Sequence, residues 1–274
     1  MEIKDITGVG EIVKRVIDCL DKGVSSLLSP FAYKRMERAK MLIEQERSDQ
    51  NAIIALKDAM AQDMIEVART SRDRNQLHNI AEIYGGAIRE LQDFAPSQLP
   101  VALPSDDWSA LFYDSAKDCS DDDIRVIWSK ILAGEIKSPG TYYKRTLTNL
   151  KQMERHEAEW FVKLCKYVIE DTYVPELVLN EDLFPFNEYQ SLVDCGFLNA
   201  NHGSMEVKFD SMLPLRDKEL HVKIKDRPYH MNVIILTDTG MQISKLISVE
   251  ADTVFAEKLV EQINKSEVAT AIVK

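Results

Sequence analysis

Residues 120–139 carry the pattern that most constrains how this chain can fold. Large apolar side chains recur there at spacings of three and four residues, as they do on one face of a helix. They are Ile124, Ile127, Trp128, Ile131 and Leu132. Ser120 and the three aspartates after it favour a helix start, because a hydroxyl caps free amides and carboxylates complement the helix dipole. Gly134 and the Ser-Pro-Gly run at 138–140 are predicted to end this helix.

Two further short helices are predicted after this one. Ser138 followed by Pro139 suits the cap and first turn of a helix on which Tyr143, Leu147 and Leu150 share a face. A third helix is predicted over residues 155–170 from apolar side chains at helical spacing. Three short helices with brief connections bury their apolar stripes against each other. We therefore predict a compact central helical domain over residues 107–171.

The centre of this domain has two interpretations, and the sequence leaves both open. In the first, Trp128 is a core residue, Gly134 forms a turn and Arg145 clamps a carboxylate or a helix end, since large apolar residues at helical spacing are usually buried. In the second, the turn at 134–140 is a docking surface with Glu135 and Arg145 at its edge. Trp128, Glu135 and Arg145 are accordingly the candidate interaction residues here.

A set of short motifs in this region resembles a known family. The motifs are Asp107-Trp108, Phe112 with Ser115 and Ala116, the segment 128–135 (Trp-Ser-Lys-Ile-Leu-Ala-Gly-Glu), Pro139-Gly140, Arg145-Thr146-Leu147, and Ala158 with Phe161. Together they resemble the uncharacterised bacterial family DUF2806, which usually has serine where this chain has Tyr143. More loosely, tryptophan followed by Ile-Leu-Ala resembles the Abi-alpha group of abortive-infection proteins. The family has no established active site, so the resemblance implies no catalytic residues; the Abi-alpha similarity implies a role in phage defence.

Residues 1–95 are predicted to form an N-terminal helical region. Residues 1–28 are amphipathic, but acidic side chains outnumber cations on the polar side, whereas interfacial membrane helices normally carry a cationic face. A partner-binding or oligomerising helix is therefore favoured over peripheral membrane contact. Residues 31–70 are rich in good helix formers, and another helix is predicted over 76–91. Residues 96–106 contain three prolines and are predicted to be a semi-rigid linker.

Residues 172–274 are predicted to form an α+β module. Strands are expected over 205–209, 220–224 and 231–236, and helices over 186–195, from 237 onward and over 253–264. A helix, a Gly-Phe-Leu strand, a hairpin and a Leu-Thr-x-x-Gly helix in this order resemble a winged-helix arrangement. That shape serves protein contact as readily as nucleic-acid contact. Residues 265–274 are predicted to be frayed.

One predicted hairpin, residues 216–230, holds slightly more cations than carboxylates. Lys223, Lys225 and Arg227 are the candidates for contact with nucleic-acid phosphates, and the alternative is a solvated hairpin. His221 and His230 lie on the same predicted hairpin, which makes them the one histidine pair expected to come close.

Composition and motif content narrow the classes of function. The formal net charge of −11 opposes broad contact with nucleic acid or anionic membrane. The sequence has no phosphate-binding glycine loop, no metal-ligand histidine spacing and no nucleophile elbow, so we expect no cofactor and no metal. Four widely spaced cysteines, no secretory signal and no apolar run of membrane-spanning length predict a cytoplasmic protein.

Three functional hypotheses follow, in descending order. The first is a mainly α, non-enzymatic oligomerising or adaptor protein, which binds a partner or itself through its N-terminal helices and acts in anti-phage defence. The second is a winged-helix nucleic-acid-binding regulator that uses Lys223, Lys225 and Arg227. The third is an effector enzyme with a dispersed active site.

Overall fold

A computed structural model describes residues 7–24, 71–179 and 182–274 of the chain. The chain divides into two compact units, Met1–Lys151 (the helical unit) and Gln152–Lys274 (the C-terminal unit). Among the described residues the first unit is helical, and the second combines helices with two three-stranded antiparallel sheets. The predicted mainly α fold with a C-terminal α+β module is therefore confirmed. The helices predicted over residues 31–70 lie outside the described residues, and the predicted boundaries near 95, 106 and 171 stay predictions.

The described part of the helical unit is built from helices that pack in two pairs. Its helices are α1 (Thr7–Val24), α2 (Ser71–Leu91), α3 (Asp106–Ala116), α4 (Asp122–Lys137) and α5 (Lys144–Gln152). Helix α2 packs along α4, and α1 packs along α3. The apolar side of α1 is buried in these contacts. The part of this helix that was expected to bind a partner is therefore covered by the chain's own helices.

Helix α4 confirms the apolar stripe but corrects the predicted helix ends. Asp121, and not Ser120, is the N-cap: its Oδ1 accepts hydrogen bonds from the amides of Asp123 (3.0 Å) and Ile124 (3.2 Å). The helix continues through Gly134 to Lys137. A Cβ atom at Gly134 would lie 2.7 Å from Cε2 of the Tyr142 ring, so this glycine makes room for that ring and does not stop the helix.

The second predicted helix starts later than expected. The Ser138-Pro139 pair does not begin it; residues 138–143 form a turn, and α5 begins at Lys144. Within this turn Gly140 has a φ of 92°, a left-handed conformation that glycine adopts without the strain of a Cβ atom. Proline here ends α4 instead of opening α5, because it cannot donate the next amide of a continuing helix.

The C-terminal unit alternates short helices with short strands. Its helices are α6 (Arg155–Cys165), α7 (Phe186–Asp194), α8 (Asp238–Ser244) and α9 (Thr253–Asn264). Its strands are β1 (Tyr173–Pro175), β2 (Gly203–Val207), β3 (Ser211–Leu215), β4 (Lys218–Ile224), β5 (Tyr229–Ile235) and β6 (Ala269–Val273). Helix α6 ends at Cys165, well before residue 170, and the chain then passes through Glu170 and Asp171, whose φ values are 50° and 55°.

The strands form two sheets, ordered β1-β5-β2 and β3-β4-β6. Ile169 bridges to Tyr173 at the start of β1 and to Leu215 at the end of β3, and so links the two sheets. Strands β4 and β5 do not pair with each other, so His221 and His230 lie in different sheets. The predicted shared hairpin is therefore wrong; the actual hairpin joins β3 to β4 through Arg216 and Asp217.

Strand β6 was missed by the sequence prediction, which treated residues 265–274 as frayed. It pairs antiparallel with β4, from Ala269 opposite Ile224 to Val273 opposite Leu220. Its inward-facing Ala269 and Ala271 are buried beside α9. Two small side chains allow the strand to lie close to the helix, and that burial stabilises the end of the chain.

Candidate functional site

The central motif forms an aromatic core in the helical unit. The Phe112 ring stacks on Trp108 at 5.1 Å between centroids and meets Trp128 edge-on at 5.4 Å and Tyr84 at 6.1 Å. The indole Nε1 of Trp108 donates a 2.8 Å hydrogen bond to the carbonyl of Tyr142. Such ring pairs add to the free energy gained by burying their area. Trp128 is therefore a packing residue, as the first interpretation of the motif predicts.

Glu135 is a buried carboxylate that holds the turn after α4. Its Oε1 accepts a 2.6 Å hydrogen bond from the amide of Gly140, and its Oε2 accepts a 2.9 Å hydrogen bond from the amide of Tyr142. Burial raises the pKa of Glu135, and the hydrogen bonds from Gly140, Tyr142 and Thr141 oppose that rise only in part. The carboxylate thus replaces solvent for amides that a tight turn leaves without backbone partners.

The three candidate residues of this motif lie in different environments. Trp128 is 1 % exposed and Glu135 is 2 % exposed, whereas Arg145 at the start of α5 is exposed. Neither Trp128 nor Glu135 presents its side chain on the surface, and the turn at 138–141 is exposed through other residues. An interaction at this turn stays a prediction, and Arg145 is the only one of the three that a partner could contact directly.

A second feature of the helical unit is the close approach of α2 and α4. A Cβ at Gly86 would lie 2.2 Å from Oγ of Ser129, and this hydroxyl lies 2.9 Å from the carbonyl of Ile83. Gly86 is therefore a point of close packing between the two helices. Beside this contact, Nη1 of Arg125 donates a 2.7 Å hydrogen bond to Asn79. These bonds fix the two helices against each other and are structural.

An open cleft of about 620 Å³ lies in the C-terminal unit between β5, α9 and the residues after β1. Glu176 and His230 are on its walls, together with Lys258 and Gln262 of α9. Nδ1 of His202 lies 2.6 Å from Oε1 of Glu176, a contact that sequence spacing did not indicate. The cleft is open and has charged and amide side chains on its walls, which suits a hydrophilic ligand or a peptide better than an apolar molecule.

His202 connects this cleft to a buried hydroxyl. Its Nε2 lies 3.0 Å from the hydroxyl oxygen of Tyr189, and burial raises the pKa of that phenol. The carboxylate of Glu176 orients the ring from the other side. Such a carboxylate–imidazole–hydroxyl chain holds the imidazole in one orientation. Because Tyr189 is buried, its hydroxyl is not presented to a ligand in the cleft.

The three candidate cations of the C-terminal unit are exposed. Lys223 lies near the end of β4, and Lys225 and Arg227 lie in the connection to β5. The carboxylate of Asp210 accepts a 2.9 Å hydrogen bond from the amide of Ile224, which places an acidic residue beside them. Phe209, next to Asp210, is also exposed. These cations are thus interspersed with acidic residues, and they form no uniformly positive patch.

One face of the sheet β3-β4-β6, called here the outer face, exposes large apolar side chains. In this sheet Met212 of β3 is opposite His221 of β4, which is opposite Ile272 of β6. Residues directly opposite each other on antiparallel strands point to the same side. Met212 and Ile272 are exposed, whereas Leu213 and Leu220 on the other face are buried. Exposed apolar side chains thus lie on both sides of His221, which makes this face a candidate interaction surface.

The free edge of β6 is closed by two side chains of its own chain. Glu219 of β4 and Lys274 exchange two backbone hydrogen bonds. Because every second residue of β6 bonds to β4, Ala269 and Ala271 direct their amides and carbonyls away from β4. Asn264 accepts from the amide of Ala271 (2.7 Å) and donates to its carbonyl (3.0 Å). Ser266 likewise accepts from the amide of Ala269 at 3.2 Å. This edge is therefore not open to another strand along Ala269 and Ala271.

The sequence analysis named only some of the residues that form the cleft, the outer face and the cationic end of β4. Lys223, Lys225 and Arg227 were identified as exposed cations, whereas Met212, Ile272, Glu176 and His202 were not singled out. The alternation at residues 269–273 was a usable signal for the missed strand. Within residues 7–24, 71–179 and 182–274, no group of three or more His, Cys, Asp or Glu side chains is arranged to hold a metal ion.

No helix in the described parts of the chain has both the length and the apolar character needed to cross a membrane.

Comparison with known proteins finds one matching family model and no function. Residues 65–180 match the family model DUF2806, described as a protein of unknown function. This match confirms the resemblance to DUF2806 that the motifs between Asp107 and Phe161 indicated, and it also covers α2 and the start of the C-terminal unit. No curated protein and no solved structure matches the chain.

Proposed function

We propose that the protein is a non-enzymatic interaction protein that works as an oligomerising or adaptor component. The observation that carries this proposal is the outer face of the sheet β3-β4-β6, where Met212 and Ile272 are exposed. Burying apolar area contributes about 25 cal/mol per Å², so exposed side chains of this size favour a protein contact. The helical unit, with its buried aromatic core, is the rigid part of the molecule in this proposal.

A role in bacterial anti-phage defence is part of the same proposal, and it has narrower support. It rests on the loose similarity of the Trp-x-x-Ile-Leu-Ala motif to Abi-alpha proteins. In such a role the protein would hold other components in place and would carry out no chemistry itself. Its partners would contact the outer face, and the N-terminal residues 31–70 offer a second region for association.

Photo-crosslinking inside cells tests this proposal directly. A benzophenone amino acid is introduced at Met212 on the outer face or, as a control, at Phe186 on α7, because both native side chains are 65 % exposed. We expect protein adducts from position 212 and few or none from position 186. Equal yields from both positions, or no adduct from position 212, would contradict an interaction through the outer face.

A second proposal is a winged-helix-like nucleic-acid-binding module. It is supported by the exposure of Lys223, Lys225 and Arg227 at one end of β4. The triple substitution of these residues by alanine should weaken binding to duplex DNA or RNA and reduce the salt dependence, by about one unit of slope for each lost phosphate contact. Lys258→Ala, an exposed cation on α9, is the control. Absence of binding at low salt would exclude this proposal.

A third proposal, an effector enzyme with a dispersed site, is supported by the cleft that Glu176 and His230 line. Glu176 on the wall of this cleft orients the His202 imidazole at 2.6 Å, as a carboxylate commonly orients a general base. This proposal ranks third because Tyr189, whose hydroxyl contacts His202, is buried. A nucleophile must be reachable by its substrate.

A further inference from the structure

The outer face carries a charge pattern with a particular symmetry. Along β4 the outward residues are Glu219, His221 and Lys223, two positions apart and therefore on one side of the strand. Glu219 and Lys223 each lie two residues from His221, in opposite directions along the strand, and Oε2 of Glu219 is 3.2 Å from Nε2 of His221. Lys223 is exposed, and the Glu219 side chain is 60 % exposed. The row is thus acidic at one end and basic at the other, with its centre at His221.

Such a row is complementary to its own copy turned end for end. A half-turn about an axis that lies between two facing sheets, at right angles to β4 and above His221, reverses the direction of the strand. Glu219 then faces Lys223 of the second copy, and Lys223 faces Glu219 of the second copy. An isologous contact of this kind makes each pair twice.

The same half-turn keeps the flanking strands in register. Met212 is opposite His221 on one side and Ile272 is opposite it on the other, so both lie level with the axis. Met212 therefore faces Met212 of the second copy, and Ile272 faces Ile272 of the second copy. His221 faces His221 of the second copy on the axis, apolar side chains meet apolar side chains on either side of it, and the two charge pairs lie at the ends.

We propose that the outer face of the sheet β3-β4-β6 is a homodimer interface in which β4 crosses β4 of a second copy antiparallel, face to face. This proposal rests on the proposed function and names its partner as the same chain. Facing sheets of this kind pack about 10 Å apart with strands inclined by about 30°.

Two other observations favour a face-to-face contact with a second copy. Asn264 and Ser266 close the edge of β6, so the sheet is not extended by another strand along Ala269 and Ala271. The whole chain carries a net charge of −11, which opposes self-association at a surface of average charge, yet Glu219 and Lys223 cancel each other on this face. The face is about three strands wide, well below the roughly 800 Å² per partner of standard stable complexes. The dimer is therefore weak, and the fraction of dimer depends on the protein concentration.

Sedimentation of the purified full chain, from micromolar to submillimolar concentration at low salt, tests the interface. We expect a reversible monomer–dimer equilibrium. Glu219→Lys and Lys223→Glu each place like charges opposite each other twice, so each should weaken dimerisation by about tenfold or more. Glu219→Lys combined with Lys223→Glu reverses the row without changing its complementarity, and it should dimerise like the native chain.

Mixing the two single variants gives a second, independent test. One variant carries two cations in the row and the other carries two carboxylates, so each repels itself and attracts the other. We expect the equimolar mixture to form a heterodimer at concentrations at which each variant alone is monomeric. A misfolded variant could not form this heterodimer. The double variant Glu219→Lys, Lys223→Glu could not dimerise either if the single substitutions acted by unfolding the protein.

The apolar part of the interface has a matched control. Ile272→Thr on β6 and Val254→Thr on α9 remove apolar surface from side chains that are both 55 % exposed. The first should weaken the dimer several-fold, and the second should leave it unchanged. A monomer at every concentration, or a dimer unaffected by Glu219→Lys, Lys223→Glu and Ile272→Thr, overturns the proposal. Adducts at position 212 to a different protein, combined with a strict monomer, would retain the proposed function and reject the homodimer.

Discussion

The two units of this protein differ in where they place the residues that stand out in the sequence. The helical unit buries its most distinctive residues, since Trp128 lies in an aromatic core and Glu135 binds the amides of a turn. The C-terminal unit leaves Met212 and Ile272 in solvent, although they lie in ordinary short strands. A strongly patterned motif thus marks where the chain packs against itself. The candidate interaction surface lies where the sequence pattern is weak.

Among the substitutions that compare the two units, Glu135→Ala is expected to cause the largest loss of stability. Glu135→Ala leaves the amides of Gly140 and Tyr142 without their acceptor, and an unsatisfied buried donor costs about 1–3 kcal/mol. Removal of a desolvated carboxylate offsets part of this loss, so we expect a decrease of about 3 kcal/mol in the free energy of unfolding of the helical unit. Urea unfolding followed by tryptophan fluorescence measures it, because Trp108 and Trp128 lie in this unit.

The control for this prediction is Glu90→Ala, an exposed glutamate on α2 of the same unit. Surface substitutions of this kind usually change stability by less than about 0.5 kcal/mol. Similar losses for the two variants would show that Glu135 has no special role in the turn. In that case the interpretation of the motif as a docking surface would regain support.

A smaller difference is expected between glycines of the two units. Gly86→Ala places a Cβ 2.8 Å from Cβ of Ser129, so two packed helices must separate, at a cost of about 2 kcal/mol. Gly203→Ala on β2 meets the outer part of the Ile235 side chain, at 2.6 Å from Cδ1 and 3.3 Å from Cγ1, and that flexible end can rotate away. We expect a loss below about 1 kcal/mol there. Thermal unfolding of both variants makes the comparison.

A compensating substitution sharpens this comparison. Ser129→Gly removes the atoms that the new methyl group would meet, and so Gly86→Ala combined with Ser129→Gly should recover part of the lost stability. Failure to recover any stability would mean that the cost arises elsewhere in α2. A loss at Gly203 as large as that at Gly86 would remove the contrast between rigid helix packing and adaptable strand packing.

The smallest effect concerns the dependence of stability on pH. Burial raises the pKa of Glu135 above its ordinary value of 4.5, so the folded state gains stability as pH falls through the raised pKa. Hydrogen bonds from Lys117 and Lys151 lower the pKa of Asp114 below 3.8, so its contribution is present above that value and is lost as pH falls further. Carboxyl resonances in a pH titration should show Glu135 taking up its proton first.

The variant Glu135→Gln provides the check on that titration. It removes the group with the raised pKa and should abolish the gain in stability on mild acidification, while Asp114 titrates as before. An unchanged pH profile in this variant would show that another carboxylate is responsible.

Local patterns predicted the helices well and the long-range pairings poorly. The apolar stripe of α4 was predicted correctly, because residues on one helix face share one environment whatever lies opposite. Gly134 was misinterpreted as a helix end, since its role depends on Tyr142, which packs on it from outside the helix. Strand β6 was missed because its stability depends on β4, far away in sequence. For the same reason His221 and His230 were assigned to one hairpin, although β4 and β5 belong to different sheets.

The candidate surfaces show the same limit. The exposure of Lys223, Lys225 and Arg227 was predicted from charge alone. The outer face was not, because alternation identifies a strand but does not tell which side another element covers; α9 covers the inner side here. The pairing of His202 with Glu176 joins residues from separate elements that only tertiary structure brings together.

The closed edge of β6 has a consequence for the behaviour of the protein in concentrated solution. A strand of Ala-Thr-Ala-Ile-Val is uncharged and rich in β-branched residues, the type of segment that stacks into amyloid-like fibres when its backbone is unprotected. A homodimer formed through a sheet face is a closed assembly, whereas strand addition at an edge can continue without limit. Asn264 and Ser266 block this strand addition along Ala269 and Ala271. Association through the sheet face then stays finite and reversible and does not become irreversible polymerisation.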